Sequence, residues 1–218
     1  MIGNLGIGHR PTRRANLYAE RLKADTAIKA WSDAADPQLD VLYAVAWRML
    51  EGERIVAPEA FSTWVKEELA ARGLPASDVQ NVTDALRRSR QFRDVKTRDR
   101  LRREQDAVTF DHELVGKFLA ARHLRSTLGG EGRDAALRHS AAETWQDVFL
   151  FAIDETPAMK LPALLLDSLI EKGGEIRLAL VAYAIKTKSD DEPPLPAEYR
   201  ERYSEVRLNE DARLAQAA

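Results

Sequence analysis

Apolar residues recur along most of the chain at the spacing of amphipathic helices. The clearest case follows Asp36, a typical helix cap, with Pro37 in the first turn and an apolar face that runs to Leu50. An earlier helix, beginning near Pro11, is predicted to turn Leu17 inward. The same spacing predicts further helices in the stretches 58–73, 77–90, 112–128, 145–153, 161–169 and 175–187.

The period changes between residues 92 and 110. "FRDVKT" and "AVTFD" are short, partly alternating and rich in residues that favour strands, and a charged stretch separates them. They predict a β-hairpin, and helices followed by a hairpin are typical of a winged-helix module. The predicted fold is therefore mainly α, with a winged-helix-like unit and one small hairpin followed by an α-helical repeat-like stack. The predicted divisions are a flexible leader (1–10), a helical lid and winged-helix-like domain (11–128), the helical stack (129–188) and a charged tail (189–218).

Composition and charge limit the partners and the cellular compartment to be expected for the protein. The 218 residues carry a formal net charge of −2, which predicts no bulk attraction to nucleic acid or to a membrane. The chain has no cysteine, so it forms no disulfide, and it has no apolar run of the roughly 18 residues that span a bilayer. We expect a cytoplasmic protein without membrane contact.

The motifs of common enzymes are missing. His112 and Glu113 resemble the start of a zinc-binding H-E-x-x-H motif, but Gly116 stands where the second histidine is needed. The next histidine, His123, is about three helical turns away, too far to share an ion, so no metal site is expected. The glycines of residues 1–10 are not in the order of a nucleotide-binding loop, and no P-loop motif occurs. We therefore expect no catalysis.

A basic run is the first feature that stands out. Residues 87–103 contain nine lysines and arginines against Asp94 and Asp99, a net charge of +7. In a winged helix this segment would be the end of the recognition helix and the wing, so one interpretation is a DNA-binding protein. The alternative is a solvated surface, or arginines paired with a neighbouring domain. The candidate nucleic-acid contacts are Arg87, Arg88, Arg90, Arg98, Arg100, Arg102 and Arg103.

The stretch "VTFDHELVGKFLAARHL" (108–124) is the second such feature, and it resembles a known family. In STAND-type NTPases of the NACHT class, a winged-helix domain ends in a strand with an F-x-H-like motif, followed by a helix of the type "sFQEFLAARYL". The matching positions are Phe110, His112, Phe118, Leu119, Ala120, Ala121 and Leu124. Gly116 and Lys117 depart from the family's glutamine and glutamate. A second segment, "RPTRRANLYAERL", is similar to the "P-x-x-R-A-x-L-Y-E" segment of the class through Arg14, Ala15, Leu17 and Tyr18.

This resemblance, over residues 10–128, implies a regulatory role. In the family, the histidine that matches His112 contacts the β-phosphate of bound ADP and holds the closed state; the alternative is that His112 only caps its own helix. The chain would then bind no nucleotide alone, and ADP or ATP only when joined to a P-loop NTPase domain, in cis or in trans. Further protein partners are expected on the helical stack, in preference to nucleic acid. His123 is expected on the polar side of its helix.

Overall fold

A computed structural model describes residues 14–25, 27–28, 37–98, 102–130, 133–189, 191 and 193–217. The predictions for the leader (1–10), Asp36 and Arg100 lie outside these residues. Within them the protein is mainly α-helical with one small sheet, as predicted. The elements are α1 (Arg14–Lys23), α2 (Pro37–Glu51), β1 (Ile55–Val56), α3 (Pro58–Ala71), α4 (Val79–Arg88), β2 (Phe92–Arg98), β3 (Glu104–Phe110), α5 (Glu113–Thr127), α6 (Arg133–Arg138), α7 (Gln146–Glu155), a π-helical segment (Pro162–Leu166), α8 (Asp167–Lys172), α9 (Glu175–Lys188) and α10 (Glu198–Ala217).

The sheet is antiparallel with the strand order β1-β3-β2. β2 and β3 form the predicted hairpin, in which Phe92 lies opposite Phe110 and Arg98 lies opposite Glu104. β1 was not predicted, because two residues are too few to show an alternating pattern; it adds Val56 beside Val108. The resulting order from α2 to β3 is helix, strand, helix, helix and hairpin.

A continuous apolar core joins the sheet to the helices around it. Phe92 packs between Phe61 of α3, at a ring-centroid distance of 5.2 Å, and Phe110, at 5.6 Å. Behind the sheet, α5 packs against α2 and α7, and α7 packs against α9. Val115 and Leu119 of α5 are both buried in this core. The helix that follows the hairpin is therefore a central element of the fold.

Gly116 allows the hairpin to approach this helix. A Cβ atom added at Gly116 would lie 2.6 Å from Cδ2 and Cε2 of the Phe110 ring, closer than van der Waals contact allows. The Phe110 ring therefore rests directly on the backbone of α5. The glycine that departs from the family pattern is a packing requirement of this chain.

Two details of the first and last helices differ from or add to the prediction. Leu17 does not face inward: it is 67% exposed, whereas Ala15 and Leu22 of the same helix are buried. The periodic pattern identified the helix but selected the wrong face. The predicted charged tail contains a helix, α10, and Tyr199 of this helix packs into the core.

Candidate functional site

The junction between β3 and α5 is the place where the sequence predicted a functional histidine. His112 is the N-cap of α5, with an extended backbone (φ −144°, ψ 139°). Its Nδ1 accepts a hydrogen bond from the Leu114 backbone N–H at 3.2 Å. This bond satisfies one of the amides that a helix leaves unpaired in its first turn. The capping interpretation of His112 is therefore present in the structure.

Capping does not use the whole imidazole. Because Nδ1 accepts a hydrogen bond, the neutral ring carries its proton on Nε2, which remains a donor. The side chain is exposed, so Nε2–H is open to a group supplied from outside the chain. A second proton, on Nδ1, would end the capping bond. The neutral ring can thus cap the helix and donate to an external oxygen at the same time; whether it contacts a phosphate stays a prediction.

Ion pairs tie this junction to the elements around it. Asp111, next to His112, accepts from Arg21 of α1 at 2.5 Å, and Arg21 also donates to the Arg90 carbonyl oxygen at 2.6 Å. On the other side, Glu113 pairs with Arg54 at 2.8 Å. Each carboxylate beside His112 therefore has a cationic partner, which limits the negative potential that would repel an anion.

Lys117, which replaces the glutamate of the family pattern, is buried. Its amine donates to Asp147 of α7 at 2.9 Å and pairs with Glu113 at 3.2 Å. Burial acts to lower the pKa of the Lys117 amine, but the bonds to the two carboxylates outweigh burial and the pKa is raised. The bond from Lys117 in turn lowers the pKa of the Glu113 carboxyl. Lys117 thus links the junction to the C-terminal helices. A lysine on the apolar face of a predicted helix was the available signal for this role.

The two segments that carry the family resemblance contact each other. Tyr18, from the first segment, stacks on Phe118 of the second with ring centroids 5.6 Å apart and an interplanar angle of 28°. Both rings also meet Phe151 of α7 edge-on, at 5.4 and 5.8 Å. Segments far apart in sequence therefore form one packed cluster behind the junction.

Two other histidines lie in an aromatic cluster away from the junction. His123 was expected on the polar side of α5, but its ring contacts Trp47 of α2, with ring centroids 5.4 Å apart. Burial lowers the pKa of the His123 imidazole. His139 stacks on Trp145 at 4.1 Å, and its Nε2 lies 2.8 Å from a carboxylate oxygen of Glu51. Both histidine rings are therefore partly buried between helices.

The basic run is divided between paired and exposed residues. Arg87 binds Asp94 at 2.9 Å, Lys96 binds Asp106 at 2.5 Å, and Arg98 lies opposite Glu104 in the sheet register. The acidic residues of β3 therefore lower the positive charge that the sequence count alone suggested. The exposed arginines of the candidate interface, among the described residues, are Arg88, Arg90, Arg98, Arg102 and Arg103.

Across the described ranges, no cluster of three or more His, Cys, Asp or Glu side chains is arranged to hold a metal ion. No helix within the described part of the chain combines the length and the apolar character needed to cross a bilayer.

Comparisons with known proteins return no relative. No protein-family model matches the sequence, and neither a curated protein nor a solved structure is significantly similar to the chain.

Proposed function

We propose that the chain is a non-catalytic regulatory or signalling segment of a NACHT-like STAND NTPase, acting through contacts between domains. The observation that carries the proposal is the stacking of Tyr18 on Phe118, because it brings the two resembling segments into one cluster. The helix–strand–helix–helix–hairpin order from α2 to β3 is that of a winged helix, which supports the same assignment. The segment would follow a nucleotide-binding core, either in one polypeptide or as a separate subunit.

His112 is the residue proposed to meet the nucleotide. Its exposed Nε2–H would donate to a phosphate oxygen of ADP held by the P-loop domain, while Nδ1 keeps its bond to the Leu114 amide. A hydrogen bond to a charged group contributes about 1.5–3 kcal/mol, whereas micromolar affinity needs about 8 kcal/mol. The chain by itself would therefore bind ADP weakly and would not hydrolyse ATP. Joined to the core, it would favour the ADP-bound state.

The test uses a P-loop domain of the NACHT class, fused to the chain or mixed with it. ADP affinity is measured by titration calorimetry for the unaltered pair, for His112→Ser and for His112→Ala. Serine is an efficient cap and preserves the first turn of α5, but it cannot reach as far as an imidazole. We expect both variants to weaken ADP binding about 10–100-fold. Only His112→Ala should also lower the free energy of unfolding, by about 0.5–2 kcal/mol.

The two variants separate the two roles of His112. If His112→Ser binds ADP as tightly as the unaltered pair, the histidine is a cap and the nucleotide contact is wrong. If adding the unaltered chain to the P-loop domain leaves ADP affinity unchanged, the regulatory proposal itself is refuted.

A second candidate function, binding of duplex DNA, is favoured by one observation. Exposed arginines lie both at the end of α4 (Arg88) and on the hairpin (Arg98, Arg102), the elements that a winged helix presents to DNA. The acidic residues Asp106 and Glu104 of β3 argue against DNA binding, because they offset the positive charge of the hairpin. This candidate therefore ranks second.

Salt dependence tests the DNA candidate directly. Binding to a labelled duplex is measured by fluorescence anisotropy at several salt concentrations, for the unaltered chain and for Arg98→Glu/Arg102→Glu. If the hairpin contacts phosphates, the affinity should fall steeply with salt, and the double variant should reduce the log–log slope by about 2. Lys186→Glu, on the exposed surface of α9, is the control and should leave the slope unchanged. An absence of binding at low salt removes this candidate.

A further inference from the structure

A cleft of about 680 Å³ lies beside the C-terminal end of α5, whereas Phe110 of the hairpin packs on Gly116 in the first half of that helix. It is bounded by the end of α1, the start of α2, the end of α5 and the segment that follows α7. Its volume is within the range of about 300–1,000 Å³ that small-molecule sites occupy. The described residues that line it are Ala19, Leu22, Lys23, Ile28, Leu39, Asp40, Tyr43, Arg122, Arg125, Ser126, Thr156, Pro157, Lys160 and Leu164.

The floor of the cleft is apolar. Leu22, Ile28 and Leu39 line it and are themselves at least nine-tenths buried, so they form a fixed surface. Leu164 adds a half-buried apolar wall from the opposite side. A ligand with a hydrocarbon body would bury its own apolar surface against this floor, and the removal of apolar surface from water is the main favourable contribution to binding in such sites.

Cationic groups surround this floor. Among the described residues, Lys23, Arg122, Arg125 and Lys160 line the cleft together with the carboxylate of Asp40. They differ in how far they are already engaged. Arg122 is held by Glu155 at 2.6 Å and by the Tyr43 hydroxyl at 3.0 Å, so it belongs to the wall.

Arg125 and Lys160 are the cations with donors to spare. Arg125 reaches Glu155 only at 3.4 Å, through one of the five N–H groups of its guanidinium. Lys160 is exposed and has no carboxylate within 4.0 Å among the described residues. Lys23, by contrast, is paired with Glu20 at 2.9 Å. An anion entering the cleft would therefore meet Lys160, which has no carboxylate partner among the described residues, and Arg125, which shares the single carboxylate of Glu155 with Arg122.

The wall that carries Leu164 is also unusual in its backbone. Residues Pro162–Leu166 form a π-helical segment that begins two residues after Lys160. Short π-helical segments interrupt α-helices at an energetic cost and occur frequently at functional sites. Here the segment places Leu164 in the same cleft as Lys160.

We propose that this cleft binds a small amphipathic acid, with its apolar body against Leu22, Ile28 and Leu39 and its carboxylate beside Arg125 and Lys160. The site does not involve His112, so it would be a second ligand site, independent of the proposed nucleotide contact. Its walls come from α1, α2, α5 and the segment after α7. Two of these helices, α1 and α5, also supply Tyr18 and Phe118, which stack on each other in the aromatic cluster. A bound acid would therefore connect the elements on which the proposed regulatory function depends.

The experiment titrates the full chain with decanoate, below its micelle concentration, and follows amide resonances by ¹H–¹⁵N correlation NMR. Decan-1-ol is the neutral probe of equal chain length. We expect saturable binding of one decanoate, with shifts at Ser126, Thr156 and Leu164, and at least tenfold weaker binding of decan-1-ol. Lys160→Glu should weaken decanoate binding at least fivefold and leave decan-1-ol binding unchanged.

Two controls keep this test decisive. Lys186→Glu makes the same charge change on the exposed surface of α9 and should leave decanoate binding unaltered. Because Lys160 is exposed, its variant should unfold at the same temperature as the unaltered chain. Equal binding of decanoate and decan-1-ol, shifts outside the cleft, or an unaffected Lys160→Glu variant would each overturn the proposal. The failure of this site would leave the ADP test of His112 untouched, since the two use different residues.

Discussion

Replacing Gly116 by alanine tests how tightly the hairpin is held on α5. The new Cβ would lie 2.6–2.7 Å from three atoms of the Phe110 ring. Phe110 is buried and stacked on Phe92, so its ring cannot swing into solvent. Overpacking of this kind costs about 1–3 kcal/mol, whereas glycine to alanine within a helix contributes about 1 kcal/mol of stability. We expect a net loss of up to about 2 kcal/mol in the free energy of unfolding.

Urea denaturation of matched variants tests whether the contact between Gly116 and Phe110 causes this loss. Gly129→Ala, at a glycine whose added Cβ would have nothing within 4 Å, should be neutral or slightly stabilising. In a Phe110→Leu background the smaller side chain should relieve the clash, so Gly116→Ala should become neutral or favourable. The cycle would then give a coupling energy of at least about 1 kcal/mol. A Gly116→Ala variant as stable as the unaltered chain, with no coupling to Phe110, would refute this account of the junction.

Three further predictions concern buried charges and a histidine. Lys117→Met should lower the free energy of unfolding by about 1–2 kcal/mol. This is less than the cost of breaking a fully buried ion pair, because Asp147 is partly exposed. Urea denaturation should show that the double variant Lys117→Met/Asp147→Leu recovers most of the loss. Lys188 is 0% exposed, donates to the Asp154 carbonyl oxygen at 3.0 Å and pairs with Asp191 at 3.3 Å, so Lys188→Ala should cost about 3–5 kcal/mol and Lys188→Met less; equal losses would contradict the contribution assigned to side-chain volume and would leave the whole effect to the lost ammonium group. His123 has a pKa below 6.5 in the folded protein, so its contribution to stability is complete above pH 6.5 and is lost as the pH falls towards the folded pKa. His123→Leu should therefore reduce the fall in unfolding free energy between pH 7 and 5, and an unchanged slope would contradict the burial of the ring.

The sequence determined the helices and the hairpin of this protein because their information is local. Apolar spacing around Val41 and Leu50 specifies a helix by itself, and the alternation near Val95 and Val108 specifies strands. The same local pattern could not select the buried face of α1, where Leu17 is exposed and Ala15 is buried. The buried face depends on which other element packs against the helix, and the local hydrophobic pattern does not identify that element.

The candidate sites were decided mainly by tertiary structure. The sequence could point to His112 and to the basic run, since both lie in short continuous segments. It could not pair Lys96 with Asp106, place Lys117 against Asp147, or bring Arg125 and Lys160 to one cleft. Electrostatic and packing interactions act over a few ångströms in space, and residues remote in sequence become neighbours only when the chain has folded. The sequence therefore supplied the candidate groups, and the fold decided which of them are neutralised, buried or available to a ligand.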